Sequence, residues 1–242
     1  MPIRSGQALL AAALALSTSG PWIAPAGAVP SRIILLRHGE KANAEALCGL
    51  GQQRAIALRD TYLGRNASNA SLLDRQPPAA FLAITLHTQE TATPSASSWG
   101  LPIRAYAPAA STAGQGQRMA NLTRATQAAA ADVLQNPAWN GRLLVMTWEH
   151  KHIANQSLER QNRGEKVTLR QLLNLDQIAG VPATWPGSNY DYFWVIDYDP
   201  QTSAIPTRFQ MVQQSYSAPF NTLPDNAWGA PLPGNFPPSC QR

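Results

Sequence analysis

"IILLRHGEK" (residues 33–41) sets an unbroken apolar run directly against Arg37-His38-Gly39-Glu40-Lys41. Consecutive large aliphatic residues with no polar alternation are the pattern of a strand buried on both faces, as in the middle of a parallel sheet. In open α/β sheets, ligands bind outside the carboxyl ends of the strands. The charged turn that ends this run therefore stands where a site would be. Arginine offers a planar fork of donors that fits phosphate oxygens and keeps its charge. Glycine lets backbone come close to an anion. A neutral imidazole can attack phosphorus and carry the phosphoryl group.

Outward from this stretch, strand-like and helix-like runs alternate. "AAFLAIT" (79–85), "PIRAY" (102–106) and "RLLVMTW" (142–148) read as further strands. "YFWVIDY" (192–198) and "TRFQMVQQ" (207–214) read as a late pair joined as a hairpin. Helical spacing or composition marks 50–64, 89–100, 115–136, 151–161 and 168–175, with Pro94 placed to interrupt or kink the second of these. The alternation predicts a mostly parallel α/β sheet with helices on both faces. The histidines fit the rule about strand ends. His38 follows the first strand, His87 the second, and Glu149-His150 the strand at 142–148, with His152 close behind. A shared pocket for His38, His87 and His150 follows.

Composition and chain ends narrow the class. The 242 residues carry a net charge of +5, chiefly from arginine, but only 14% are charged and no basic run occurs. That argues against nucleic acid and is compatible with a pocket for small anions. Arg4, the apolar "ALLAAALALS" (8–17) and "AGA" (26–28) form the three regions of an export signal, too short to span a bilayer. Its removal would take away one arginine and lower the charge to +4. The expectation is a signal peptide over 1–28, then a single domain over 29–242. It would be periplasmic or secreted, with no membrane partner after cleavage. Two cysteines, Cys48 and Cys240, then suggest one disulfide that anchors the irregular Pro/Gly-rich tail from about 218. The N-x-[ST] sequons at Asn66, Asn69, Asn121 and Asn155 are read as chance. The aromatics in "WPGSNYDYFWVID" (185–197) are read mainly as core packing, with Tyr190 and Tyr192 as candidates for a pocket rim.

Three blocks carry a resemblance. "LLRHGEKANAEALCGLGQQRAIAL" (35–58) holds Arg-His-Gly and then Leu47, Gly51, Arg54, Ala55 and Leu58 in a Leu-x-x-x-Gly-x-x-Arg-Ala-x-x-Leu pattern. "FLAITLHTQETATPSA" (81–96) and "LLVMTWEHKHI" (143–153) follow. Together they resemble the histidine phosphatase superfamily, the group that includes phosphoglycerate mutases. The resemblance implies a three-layer α/β/α sandwich and a phosphomonoesterase working through phosphohistidine. His38 would be the residue phosphorylated, Arg37 and Gly39 the phosphate cradle, and His150 a donor to the same oxygens. It implies no cofactor, no metal and a small phosphorylated substrate, and leaves the oligomeric state open.

The sequence departs from the family pattern at two places. His87 stands where a second arginine belongs, and is expected to bind phosphate in its stead, with Arg54 and Arg104 as arginines that could reach in. The stretch 105–127 contains no Asp or Glu. Glu149 is therefore the first choice for proton donor, Glu40 the second and Glu90 the third. Two alternatives stand beside the esterase: a binder of phosphorylated ligands with little or no turnover, and a zinc hydrolase using the histidines and Glu149, against which Arg37 argues by charge.

Overall fold

The computed structural model describes residues 28–106, 114–201, 204–234 and 236–241. The expected signal segment lies outside these residues except for its last position. Six strands form one sheet: β1 (Arg32–Arg37), β2 (Ala80–Ala83), β3 (Ile103–Ala105), β4 (Leu143–Trp148), β5 (Tyr192–Asp197) and β6 (Arg208–Gln213). Their order across the sheet is β3-β2-β4-β1-β5-β6. The first four in that order are mutually parallel, whereas β5 runs antiparallel to β1 and β6 antiparallel to β5. The two central strands are the continuous apolar runs of the sequence: β4 is buried at every position and β1 at all but its first.

Strand periodicity splits the core into two faces. Ile33 and Leu35 of β1 point to one side with Leu144 and Met146, under Ala129, Ala130 and Val133 of α3 (Gln115–Gln135) and Leu169 of α6 (Leu169–Leu172). Ile34 and Leu36 point to the other with Val145 and Phe81, under Leu58 of α1 (Gly49–Leu58) and Ala92 and Ala96 of α2 (Leu86–Ser98). The molecule is thus a three-layer α/β/α sandwich, as the alternation of runs required. Each fully buried aliphatic side chain in these layers contributes about 1.5–3 kcal/mol relative to exposure.

Local departures from the expected elements have local causes. α2 starts at Leu86, because the Thr88 hydroxyl accepts from the Thr85 backbone N–H at 2.8 Å, and it runs through Pro94 to Ser98. His87 therefore lies in the first turn of a helix. The run expected as one helix over 151–161 is two short ones, α4 (His150–Ile153) and α5 (Gln156–Gln161). Ala154 is extended between them, and Asn155 caps α5 by accepting from the Leu158 N–H at 2.9 Å. Asn155 belongs to one of the sequons, so its side chain has a structural use. α1 ends in a π-helical turn over Arg59–Leu63 that the spacing did not announce.

Cys48 and Cys240 are bonded, with a Cα–Cα distance of 5.5 Å across 192 residues of sequence. A cross-link closing so long a loop removes unfolded-chain entropy equivalent to roughly 5 kcal/mol. Between Gln214 and the bridge residue Gln241, the described residues form no helix or strand. They are tied down instead by the disulfide, by Gln241 N–H donating to Lys41 O at 2.6 Å, and by the packing of Phe236 against Tyr190.

Candidate active site

The carboxyl ends of β1, β4 and β2, three neighbours in the sheet, deliver Arg37-His38, Glu149-His150 and Thr85-His87 to one place. The ring centroid of His38 is 4.6 Å from that of His87, 6.0 Å from that of His150 and 6.1 Å from that of Tyr190. The three histidines expected to share a pocket therefore lie together, with His38 next to both of the others. His152 does not join them. It is buried against α3, 3.3 Å from the Thr123 hydroxyl, and burial lowers its pKa to about 4.

The turn after β1 is built by close backbone contact. A Cβ on Gly51 would lie 2.2 Å from the Glu40 carbonyl oxygen, and one on Gly39 would lie 3.0 Å from the Gly51 oxygen. Glycine at both positions lets α1 press against the turn, which gives the Gly51 of the helix pattern a physical reason. Gly39 N–H donates to the Thr91 hydroxyl at 2.9 Å, and that hydroxyl donates to the His87 carbonyl at 2.8 Å. These bonds clamp the β1 turn to α2.

His38 is fully buried. Its Nδ1 is 2.7 Å from the Gly39 carbonyl, which can only accept, so Nδ1 carries the proton and Nε2 keeps its lone pair. Burial, and then the charge of Arg37, lower its pKa to about 4. The ring is thus neutral at ordinary pH, as a nucleophile must be. Nε2 has no hydrogen-bond partner, although Glu149 Oε2 lies 3.4 Å from it.

Arg37 is held from several sides. One terminal nitrogen donates to the carbonyls of Gly187 at 2.8 Å, Asn189 at 3.3 Å and Pro186 at 3.5 Å. The guanidinium carbon sits 3.8 Å from the centroid of the Tyr190 ring, a cation–π stack. Tyr190 is therefore part of the site rather than plain core, and the Pro-Gly turn at 186–187 is what brings the carbonyls in. Arg37 Nε and His150 Nδ1 are buried without partners, as is His38 Nε2. Buried polar atoms are seldom left so, and here three belong to neighbouring residues at the ends of β1 and β4. Burial and then Arg37 also lower the pKa of His150 well below its ordinary value.

Glu149 precedes α4 but makes no capping bond with its side chain. Its carboxylate turns instead to His87: Oε1 is bonded to His87 Nε2 and accepts from the Thr85 hydroxyl at 3.3 Å. His87 Nδ1 is 3.1 Å from the Ala44 carbonyl. Both ring nitrogens of His87 are therefore engaged. Burial alone would raise the pKa of Glu149, but its bond to the His87 ring helps to hold it well below the usual carboxylate range.

The other expected candidates go elsewhere. Glu40 is fully buried in an ion pair with Arg54, whose Nε and a terminal nitrogen donate to it at 3.0 and 2.7 Å. Arg54 also binds Gln214 and the Pro224 carbonyl. Neither residue is available to the pocket, because each consumes the other's charge. Arg104 pairs with Asp132 of α3 at 3.0 Å, and Glu90 accepts from the Leu47 backbone N–H at 2.7 Å. Among the described residues, neither Arg54 nor Arg104 reaches in.

One ligand atom from each of His38, Glu149 and His150 lies within 4.8 Å of the others, close enough for a metal ion by distance. Charge opposes it. Arg37 lowers the proton affinity of both His38 and His150. It would disfavour a dication there for the same reason, whereas an anion gains.

No protein-family model matches the chain, and no curated protein matches it. Among solved structures, a mycobacterial glucosyl-3-phosphoglycerate phosphatase in complex with inorganic phosphate is similar at 16% identity over 78% of this chain and 98% of that one, with a TM-score of 0.43. "Mycobacterial hydrolase 1" is 18% identical over 78% of this chain and 100% of its own, with a TM-score of 0.43. An Escherichia coli protein provisionally described as an α-ribazole-5′-P phosphatase is 15% identical over 76% of this chain and 97% of its own, with a TM-score of 0.41. At these values the likeness is loose, and the functional reading stands on the residues of the pocket.

Proposed function

We propose that this chain is a phosphatase of the histidine phosphatase superfamily, hydrolysing a small phosphomonoester through a phosphohistidine. The observation that carries this is His38, buried and neutral, with Nδ1 tied to the Gly39 carbonyl and an unpartnered Nε2 beside a buried arginine. His38 Nε2 attacks phosphorus. Arg37 and the Gly39 turn hold the transferring group, and His150, whose Nδ1 is unpartnered, supports the charge on its oxygens. Glu149 protonates the leaving oxygen and then activates water. His87 completes the pocket through Glu149. The disulfide, together with the signal-like N-terminus, supports a periplasmic or secreted location. No described helix is long and apolar enough to cross a membrane.

The 4.8 Å grouping of His38, Glu149 and His150 favours a second reading, a zinc hydrolase. Turnover of a generic aryl phosphate with and without chelator separates the two. Chelator-resistant activity that vanishes in His38→Ala, with acid-labile label on the protein after brief exposure to radioactive substrate, supports the phosphohistidine. Activity lost with chelator supports zinc. Phosphate-dependent thermal stabilisation without turnover would make the protein a binder, and activity surviving His38→Ala would remove the central assignment.

A further inference from the structure

We propose that His87 and Glu149 act as one acid–base unit, in which His87 stores the proton that Glu149 delivers to the leaving oxygen. This rests on the phosphohistidine reading and gives His87 a use beyond standing in an arginine's place.

The argument begins with protons. The Ala44 carbonyl, facing His87 Nδ1, can only accept, so Nδ1 carries a hydrogen. The bond between His87 Nε2 and Glu149 Oε1 needs a second hydrogen between them. Whether it rests on nitrogen or oxygen, the pair holds one proton more than a neutral imidazole and a carboxylate would. Thr85 fixes the carboxylate from the side by donating to the same oxygen at 3.3 Å. Arg37 and His38 from the β1 turn and His150 from α4 face the carboxylate from elsewhere.

This resolves a conflict in the site. A general acid must hold a proton, yet the surroundings of Glu149 favour its ionised form. A stored proton on the neighbouring ring removes the difficulty. An arriving phosphoryl dianion would repel the carboxylate and draw the proton along the bond from Nε2 to Oε1. His38 Nε2 then forms its bond to phosphorus as the ester P–O bond breaks. The leaving oxygen takes the bond's electron pair and the proton from Glu149, and His87 is left neutral with its Nδ1 hydrogen on Ala44. In the second half, Glu149 takes a proton from the attacking water and passes it back to His87. The P–N bond breaks, its electron pair returns to His38 Nε2, and phosphate departs with the proton count restored. His87 is a positioning and proton-storing residue; the group that touches the substrate is Glu149.

The test uses the full chain and two monoesters, one whose leaving group needs no proton (4-nitrophenyl phosphate) and one whose leaving group does (glycerol phosphate). His87→Gln keeps a side chain that can reach both neighbours but cannot relay a proton. The expected loss in kcat is on the order of 10²-fold for glycerol phosphate and under about tenfold for the nitrophenyl ester, with inhibition by inorganic phosphate changed by less than about threefold. Glu149→Gln should show the same substrate bias, and the double variant should be little worse than either. Equal losses on both esters with weakened phosphate inhibition, restored by His87→Arg, would overturn the proposal and make His87 a phosphate ligand. A measurement on the unaltered protein guards against a variant that fails to fold. Vanadate binding should produce the infrared band of a protonated carboxyl group that is missing in Glu149→Gln, and its absence would equally sink the unit. If His38→Ala remains active, the phosphohistidine reading itself fails; if His38→Ala is inert but the substrate bias is missing, only the stored proton fails.

Discussion

Two carboxylates lie just past the central strands, the buried Glu40 after β1 and the half-buried Glu149 after β4, and they are built for opposite purposes. Glu40 has no exposure and a full arginine partner, Arg54, whose pKa burial would lower but whose bonds to Glu40 raise it on balance. Around it the hydrogen bonds are complete. Glu149 retains 13% side-chain exposure, and its ionic partners are imidazoles. The unpartnered His38 Nε2 lies 3.4 Å from it, and His150 and Arg37 nearby also have unpartnered polar atoms. A satisfied ion pair stabilises and cannot act. A carboxylate left among groups that still seek partners can accept a substrate and exchange a proton.

That contrast can be broken at several points. The largest effect should come from His38→Ala, with kcat down by at least about 10⁴-fold and an unchanged fold, since removing a covalent nucleophile disables the whole unit. Circular dichroism and turnover measured together check it. Glu149→Gln should cost about 10²–10⁴-fold in kcat for a substrate with a poor leaving group, while leaving thermal stability within about 1 kcal/mol. Glu40→Gln should reverse the pattern. It strands the buried Arg54 and should destabilise by about 3–5 kcal/mol in denaturant unfolding, with turnover per folded molecule largely kept. If Glu40→Gln proved inert but stable, or Glu149→Gln unstable but active, the contrast would be wrong.

Smaller effects follow from burial. Protonated His38 cannot attack, so kcat/KM should fall about tenfold per pH unit below its pKa of about 4. His38 and His152 both bind protons less readily when folded, near pH 4 against 6.5 for the free side chain. The unfolded chain thus takes up protons first on acidification. Their contribution to stability is intact above pH 6.5 and declines between 6.5 and 4, visible as a falling denaturation midpoint.

The layers of the fold were legible because hydrophobic runs state their period: β1, β4 and the long α3 sit within a residue of where the sequence put them. The strand-end rule likewise placed Arg37, His38, His87, Glu149 and His150 together. What the sequence hid depends on contacts across the chain. Nothing near Arg54 tells that Glu40 will neutralise it, since the pairing needs α1 pressed on the β1 turn. Tyr190 reads as one aromatic among many until the Pro186-Gly187 turn lays it against Arg37. The early start of α2 was missed because it rests on Thr88, a residue of indifferent helix propensity that here satisfies the Ile84 and Thr85 N–H groups.

The stacked line from Phe236 through Tyr190 to Arg37 also sets an order of assembly. The nucleophile is synthesised well before the ring that backs its arginine's support, which lies beside Cys240. A growing chain therefore carries His38 without a finished anion grip until Phe236 has been added. Competence waits until that segment folds back and the Cys240 thiol meets Cys48.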